Sequence, residues 1–119
     1  MIAHVVLFRL RADVTLSERR ALIDTYGAAL RDIPTIRRAR VGRRVIIGRA
    51  YEQMMRTDFP YVAILEFDDL EAVRAYLDHA AHQEISTRFF AAIEETLVYD
   101  FEMEGSVEGL TKMIGDAPG

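Results

Sequence analysis

Apolar positions along this chain recur first at every second residue and then at every third or fourth, and the two periods take turns. From Ile2 to Leu10, one side of an extended segment carries Ile2, His4, Val6 and Phe8 and the other Ala3, Val5 and Leu7. Both faces are apolar, which predicts a central strand covered on both sides, with His4 as its one polar intruder. Thr15-Leu16-Ser17-Glu18 has capping-box spacing, and Leu22, Ile23, Tyr26, Ala29, Leu30 and Ile33 then recur as the buried stripe of a helix that Pro34 ends. Residues 36–48 read as a strand with a break or bulge at Gly42. Its arginines, with Arg49 six in number, suit a solvated sheet edge. Residues 50–60 are expected to form a polar, mobile connection. Tyr61 to Phe67 is apolar at nearly every position and predicts a second central strand. Asp68-Asp69-Leu70-Glu71 caps the next helix, which carries Val73, Tyr76 and Leu77 and restarts near His79 before Ile85, Phe89, Phe90 and Ile93. Leu97, Tyr99, Phe101 and Met103 alternate with Val98, Asp100 and Glu102 in a half-exposed strand.

The order is therefore β-α-β-β-α-β. Right-handed crossovers around two central strands give an α+β, ferredoxin-like antiparallel sheet in the order 4-1-3-2, with the helices on one face. The opposite face stays apolar, which predicts a second copy packed against it, a homodimer with α/β barrel character. Residues 1–103 are expected to form this domain. Residues 104–119 form a tail with Val107, Leu110, Met113 and Ile114 to bury, read as a short helix or an arm on the partner subunit.

Composition narrows the function classes. With 119 residues the chain supports one core, and no apolar run approaches the length needed to span a bilayer, so no membrane partner is expected. The start reads as a strand rather than a secretory signal, and with no cysteine there is no disulfide framework, thiolate nucleophile or zinc ribbon. A cytoplasmic location is expected. A net charge of −4 argues against a nucleic-acid partner.

The chemistry concentrates in Tyr76-Leu77-Asp78-His79-Ala80-Ala81-His82, which holds two of the three histidines. Each three-residue step turns a helical side chain by about −60°, so Tyr76, His79 and His82 spread over one broad face that can look into one cavity. With His82 in a first helical turn, the positive helix end favours the neutral imidazole, the form able to act as a base. His4 needs partners for both ring nitrogens or a wet cavity to line. A His-x-x-His metal half-site is the weaker reading, since no nearby carboxylate completes a ligand set.

On these residues, Met1 to Glu102 resembles the stress-responsive A/B barrel domain (Dabb) family. The resemblance is carried by Ile2-Ala3-His4-Val5-Val6-Leu7-Phe8, by the Tyr76 to His82 stretch and by Leu97-Val98-Tyr99-Asp100-Phe101. The family often has proline after its first helical histidine, where this chain has Ala80. The resemblance implies a ferredoxin-like protomer and a homodimer whose sheets pair into a barrel. Plant polyketide cyclases within it imply catalytic roles at the positions of His4 and His82, with Tyr76 and Tyr26 as pocket phenols. The catalytic candidates are then His4, His82 and Tyr76, and the substrate-binding candidates Tyr26 and His79. Two functions stay open. In one, a cofactor-free, metal-free acid/base site acts on an enolisable carbonyl ligand of cyclase, isomerase or lyase type, with His82 as base and Tyr76 or His4 as donor. In the other, the chain is a non-catalytic structural or ligand-binding dimer linked to stress.

Overall fold

The computed structural model describes residues 1–115. In chain order the elements are β1 (Ile2–Leu10), α1 (Leu16–Asp32), β2 (Arg38–Arg43), α2 (Ala50–Met54), β3 (Tyr61–Phe67), α3 (Leu70–Asp78), α4 (Ala80–Ala92), β4 (Ile93–Glu102) and α5 (Val107–Gly115). β1 pairs antiparallel with β3 on one side and β4 on the other, and β2 adds to β3, so the sheet runs β2-β3-β1-β4. This is the expected 4-1-3-2 order, a ferredoxin-like arrangement with its two doubly apolar strands in the middle.

The local signals behave as their chemistry requires. Thr15 Oγ1 accepts the Glu18 N–H at 3.1 Å while the Glu18 carboxylate accepts the Thr15 N–H at 3.2 Å, closing the capping box. Asp69 accepts the Ala72 N–H at 2.8 Å and starts α3. His79 ends α3 in extended backbone geometry and is at once the N-cap of α4, its Nδ1 accepting the Ala81 N–H at 3.0 Å. The core is the helix-facing side of β1 and β3 closed by α1, α3 and α4: Ile2, Leu65 and Phe67 pack with Ala29, Ile33, Val73, Tyr76 and Ile85. Leu65 and Phe67 are its largest fully buried side chains, each contributing roughly 1.5–3 kcal/mol by leaving water.

Three sequence expectations are corrected. The second strand is shorter than residues 36–48, because its partner β3 begins at Tyr61: Arg43 pairs with Tyr61, Arg44 N–H reaches the Pro60 carbonyl at 2.8 Å, and beyond that there is no strand to pair with. Residues 50–60 are not wholly irregular. The Glu52 carboxylate accepts the N–H groups of Ile47, Gly48 and Arg49, each at 2.7 Å, and Gly48 supplies the left-handed φ of +91° that turns those groups inward, which anchors the one-turn α2. Finally, Ile23 is 67% exposed instead of buried, because the part of α1 around it borders a cavity.

Strand alternation sorts the sheet into two faces. His4, Val6, Phe8 and Leu10 look toward the helices together with Ala63, Thr96 and Val98. Val5, Leu7, Val62, Ile64, Leu97, Tyr99 and Phe101 form the outer face, where Tyr99 and Phe101 are about half exposed. Among the described residues, no helix is long and apolar enough to cross a membrane.

Candidate functional site

Between the helix-facing side of the sheet and helices α1 and α4 lies a cavity of about 650 Å³. α1 runs back along β1, so the Tyr26 end of the helix lies toward His4 and the Arg19 end toward Leu10. The cavity walls in between are apolar, with Val6, Phe8, Leu22, Leu30, Ile85 and Phe89 among them. Its inner end holds His4, Tyr26, Tyr76 and His82, four of the five residues singled out from the sequence. The fifth, His79, is not among the lining residues and spends its Nδ1 on the α4 cap.

His4 is buried at 4% exposure, and its Nδ1 lies 2.6 Å from Asp100 Oδ1. The two are direct register partners on β1 and β4, so the sheet backbone sets their separation. A carboxylate at that distance takes the Nδ1 proton as a hydrogen bond, which fixes the tautomer and leaves the lone pair on Nε2. Asp100 keeps a side-chain exposure of 43%, so the pair is open to solvent on one side and escapes the cost of full burial.

The Tyr76 ring stands edge-on to both imidazoles, 5.7 Å from His4 and 4.7 Å from His82 between centroids, and is backed by Phe67 at 5.2 Å. α3 delivers Tyr76 and α4 delivers His82, with the break at His79 between them. Burial pushes the Tyr76 phenol up to about 12, and burial, then the neighbouring Tyr76, pushes the Tyr26 phenol well above the ordinary tyrosine value. Both phenols are neutral donors at any working pH. Burial first, and then His4, lower the His82 imidazole below its ordinary value of 6.5, with the Leu77 carbonyl pulling the other way. His82 is therefore neutral near pH 7. Its Nδ1 and the Tyr26 hydroxyl are buried without a hydrogen-bond partner among the described residues.

Asp100 was not legible as a site residue, although it stands in the last strand of the sequence pattern. The signal was an acid on the same strand face as Val98, opposite His4, and it becomes readable only once the β1–β4 register is known. Arg19 also lines the cavity and was hidden in the polar first turns of α1. Thr96 lines it too, but its hydroxyl donates to the Leu7 carbonyl at 2.8 Å.

The family model described as the stress responsive A/B barrel domain matches residues 2–103. Among solved structures the chain is similar to a protein of Arabidopsis thaliana at 24% identity and a TM-score of 0.73, over 89% of this chain and 98% of that one. It is similar to the hydroxynitrile lyase of Passiflora edulis at 20% identity and a TM-score of 0.72, over 88% and 94% of the two chains. A dimeric protein of unknown function and ferredoxin-like fold from Bacteroides fragilis follows at 25% identity and a TM-score of 0.61, over 86% and 95%. The first two likenesses, below 25% identity, speak to the fold alone. No curated protein matches the chain.

Proposed function

The chain belongs to the stress responsive A/B barrel domain family, and from that premise we propose that its cavity binds a small, largely apolar carbonyl compound and moves protons on it with the protein's own side chains. The observation that carries this reading is the set of His4, Tyr76 and His82 at the inner end of one cavity, with His4 oriented by Asp100. In the proposed step, His4 Nε2 takes a proton from the carbon next to the carbonyl. Asp100 offsets the charge arriving on the imidazole, and the Tyr76 hydroxyl donates to the oxygen on which the enolate charge develops. The His4 imidazolium formed in this way returns its proton to the product, which restores the neutral base. This gives the base role to His4 rather than to His82, because the imidazolium that forms on taking a proton has the Asp100 carboxylate beside it at His4, whereas burial opposes that charge at His82. Aldol-type cyclisation and keto–enol isomerisation both pass through such an enolate.

The assembly proposed with it is a homodimer through the outer sheet face, where Leu97, Tyr99 and Phe101 extend the apolar surface of β1 and β3. The Bacteroides fragilis neighbour is described as dimeric. The helix α5, with Val107, Leu110 and Ile114 exposed, is proposed as an arm on the partner subunit, as is the division at residue 103 into domain and tail.

The test is deuterium uptake, followed by NMR, at the carbon next to the carbonyl of an aryl ketone incubated with the protein in heavy water. Uptake above the buffer rate that is lost in His4→Ala supports the acid/base reading. Binding without uptake supports instead the non-catalytic ligand-binding dimer, which the predominantly apolar wall favours. Neither binding nor uptake removes both.

A further inference from the structure

We infer that the compound bound in this cavity carries an anionic group at the end remote from its carbonyl, and that Arg19 at the cavity mouth receives it; this rests on the small-molecule site proposed above. Arg19 is the one lysine or arginine among the lining residues, and no carboxylate lines the cavity, in a chain whose acidic residues outnumber its basic ones by 19 to 15. Arg9, Arg11, Arg37, Arg40 and Arg44 are each spent on a carboxylate within the protein. Arg19 has no carboxylate within ion-pair distance among the described residues, a property it shares with exposed arginines such as Arg20, Arg38 and Arg43. Yet it is half-buried, on the α1 face that borders the cavity.

Placement makes this cation useful rather than incidental. Arg19 and Tyr26 are seven residues apart on α1, two turns on nearly the same side, which separates their backbones by about 10 Å along the helix axis. Tyr26 belongs to the inner polar end with His4, Tyr76 and His82, and the other lining residues are predominantly apolar, with the hydroxyls of Ser86 and Thr96 among them. A ligand that satisfies both ends is therefore an extended, apolar-bodied molecule with a carbonyl inside and a carboxylate or comparable anion at the mouth. Ile23 and Phe90, both largely exposed, flank that mouth and keep water from fully screening an ion pair there. A guanidinium is suited to the task, because its fork pairs with both oxygens of a carboxylate.

The probes are a straight-chain eight-carbon keto acid with a methyl ketone at its far end, and the methyl ester of that acid, with affinities measured by titration calorimetry on the intact chain. The acid should bind roughly tenfold tighter than the ester, the size of one charge-assisted pair in a partly shielded site. Arg19→Gln should bring the acid down to the ester's affinity and leave the ester unchanged, while Arg19→Lys keeps most of the preference. Thermal melts of both variants separate a lost contact from a lost fold, and Arg19→Lys serves as the folded control. Equal binding of acid and ester by the natural chain overturns the anion inference and leaves the cavity reading intact. A preference that survives in Arg19→Gln overturns it as well, by placing the anion elsewhere. Binding of neither probe overturns this inference together with the site it rests on.

Discussion

His4 and Asp100 are cross-strand partners whose side chains meet at 2.6 Å on the helix-facing side of the sheet, so the geometry of the pair is set by the backbone ladder between β1 and β4. Asp100→Asn keeps the shape but can present its amide N–H to Nδ1 and reverse the tautomer. Exchange at the ketone's neighbouring carbon should fall by about 10²- to 10⁴-fold, with ketone affinity nearly unchanged. NMR of the imidazole nitrogens reads the tautomer directly. An unchanged exchange rate in a variant with the altered tautomer would remove His4 as the base.

Tyr76 separates packing from proton donation. Tyr76→Phe keeps the edge-on contacts with His4 and His82 and loses only the hydroxyl, so exchange should drop by at least tenfold while the melting temperature moves little. Tyr76→Ala removes a ring that is 2% exposed and should cost about 3–5 kcal/mol in a denaturant titration. A phenylalanine variant with full activity argues for a purely structural ring.

His82 predicts a direction for stability against pH. Its folded value lies below the ordinary 6.5, so as pH falls below 6.5 the unfolded chain takes up a proton that the native chain resists. The stability this group contributes is complete above 6.5 and is lost as pH falls toward and through the lowered native value. Melting temperatures should decline from about pH 7 to about pH 5, and His82→Gln should flatten part of that decline. Identical slopes for the two proteins would mean that the decline has another source.

His79 is expected to behave as a cap. His79→Ala removes the acceptor for the Ala81 N–H and should destabilise by about 1 kcal/mol. Ketone affinity should hold. A large loss of affinity at constant stability would return His79 to the list of binding residues.

For the outer face, sedimentation at micromolar concentration should show a dimer for the natural chain and a monomer when Leu97 and Tyr99 are both replaced by glutamate. Charges inserted into a closed apolar interface lack partners there. A monomeric natural chain would leave the apolar sheet face without its proposed cover.

The sheet order was legible because the two central strands announce themselves by apolar residues on both faces, and α1 because Thr15, Glu18 and Pro34 mark its ends. Tyr76 and His82 were legible for the same local reason: spacing within a few residues fixes their relative direction. What escaped reading depended on contacts across long stretches of chain. Asp100 meets His4 across 96 residues, through a register that no local period encodes. The length of β2 was set by where β3 begins, and the exposure of Ile23 by a cavity whose other walls come from the sheet, α3 and α4. Arg19 looked like one more solvated charge, since nothing in its neighbourhood in sequence distinguishes it from Arg20.

His79 is a single joint shared by two helices, and the phenol and the imidazole of the site ride on opposite arms of it, each three residues away. The angle at that joint, together with Phe67 behind the Tyr76 ring, sets how the rings of Tyr76 and His82 meet. A bound molecule too thick or too thin for the gap under α4 would swing one arm against the other and misalign the rings while still being held by the apolar walls. Selection among ligands of different girth should then show in kcat at nearly constant KM, so that the elbow at His79, which does not line the cavity, would act as the gauge of the site. A girth series whose kcat stays level while KM climbs would deny it that part.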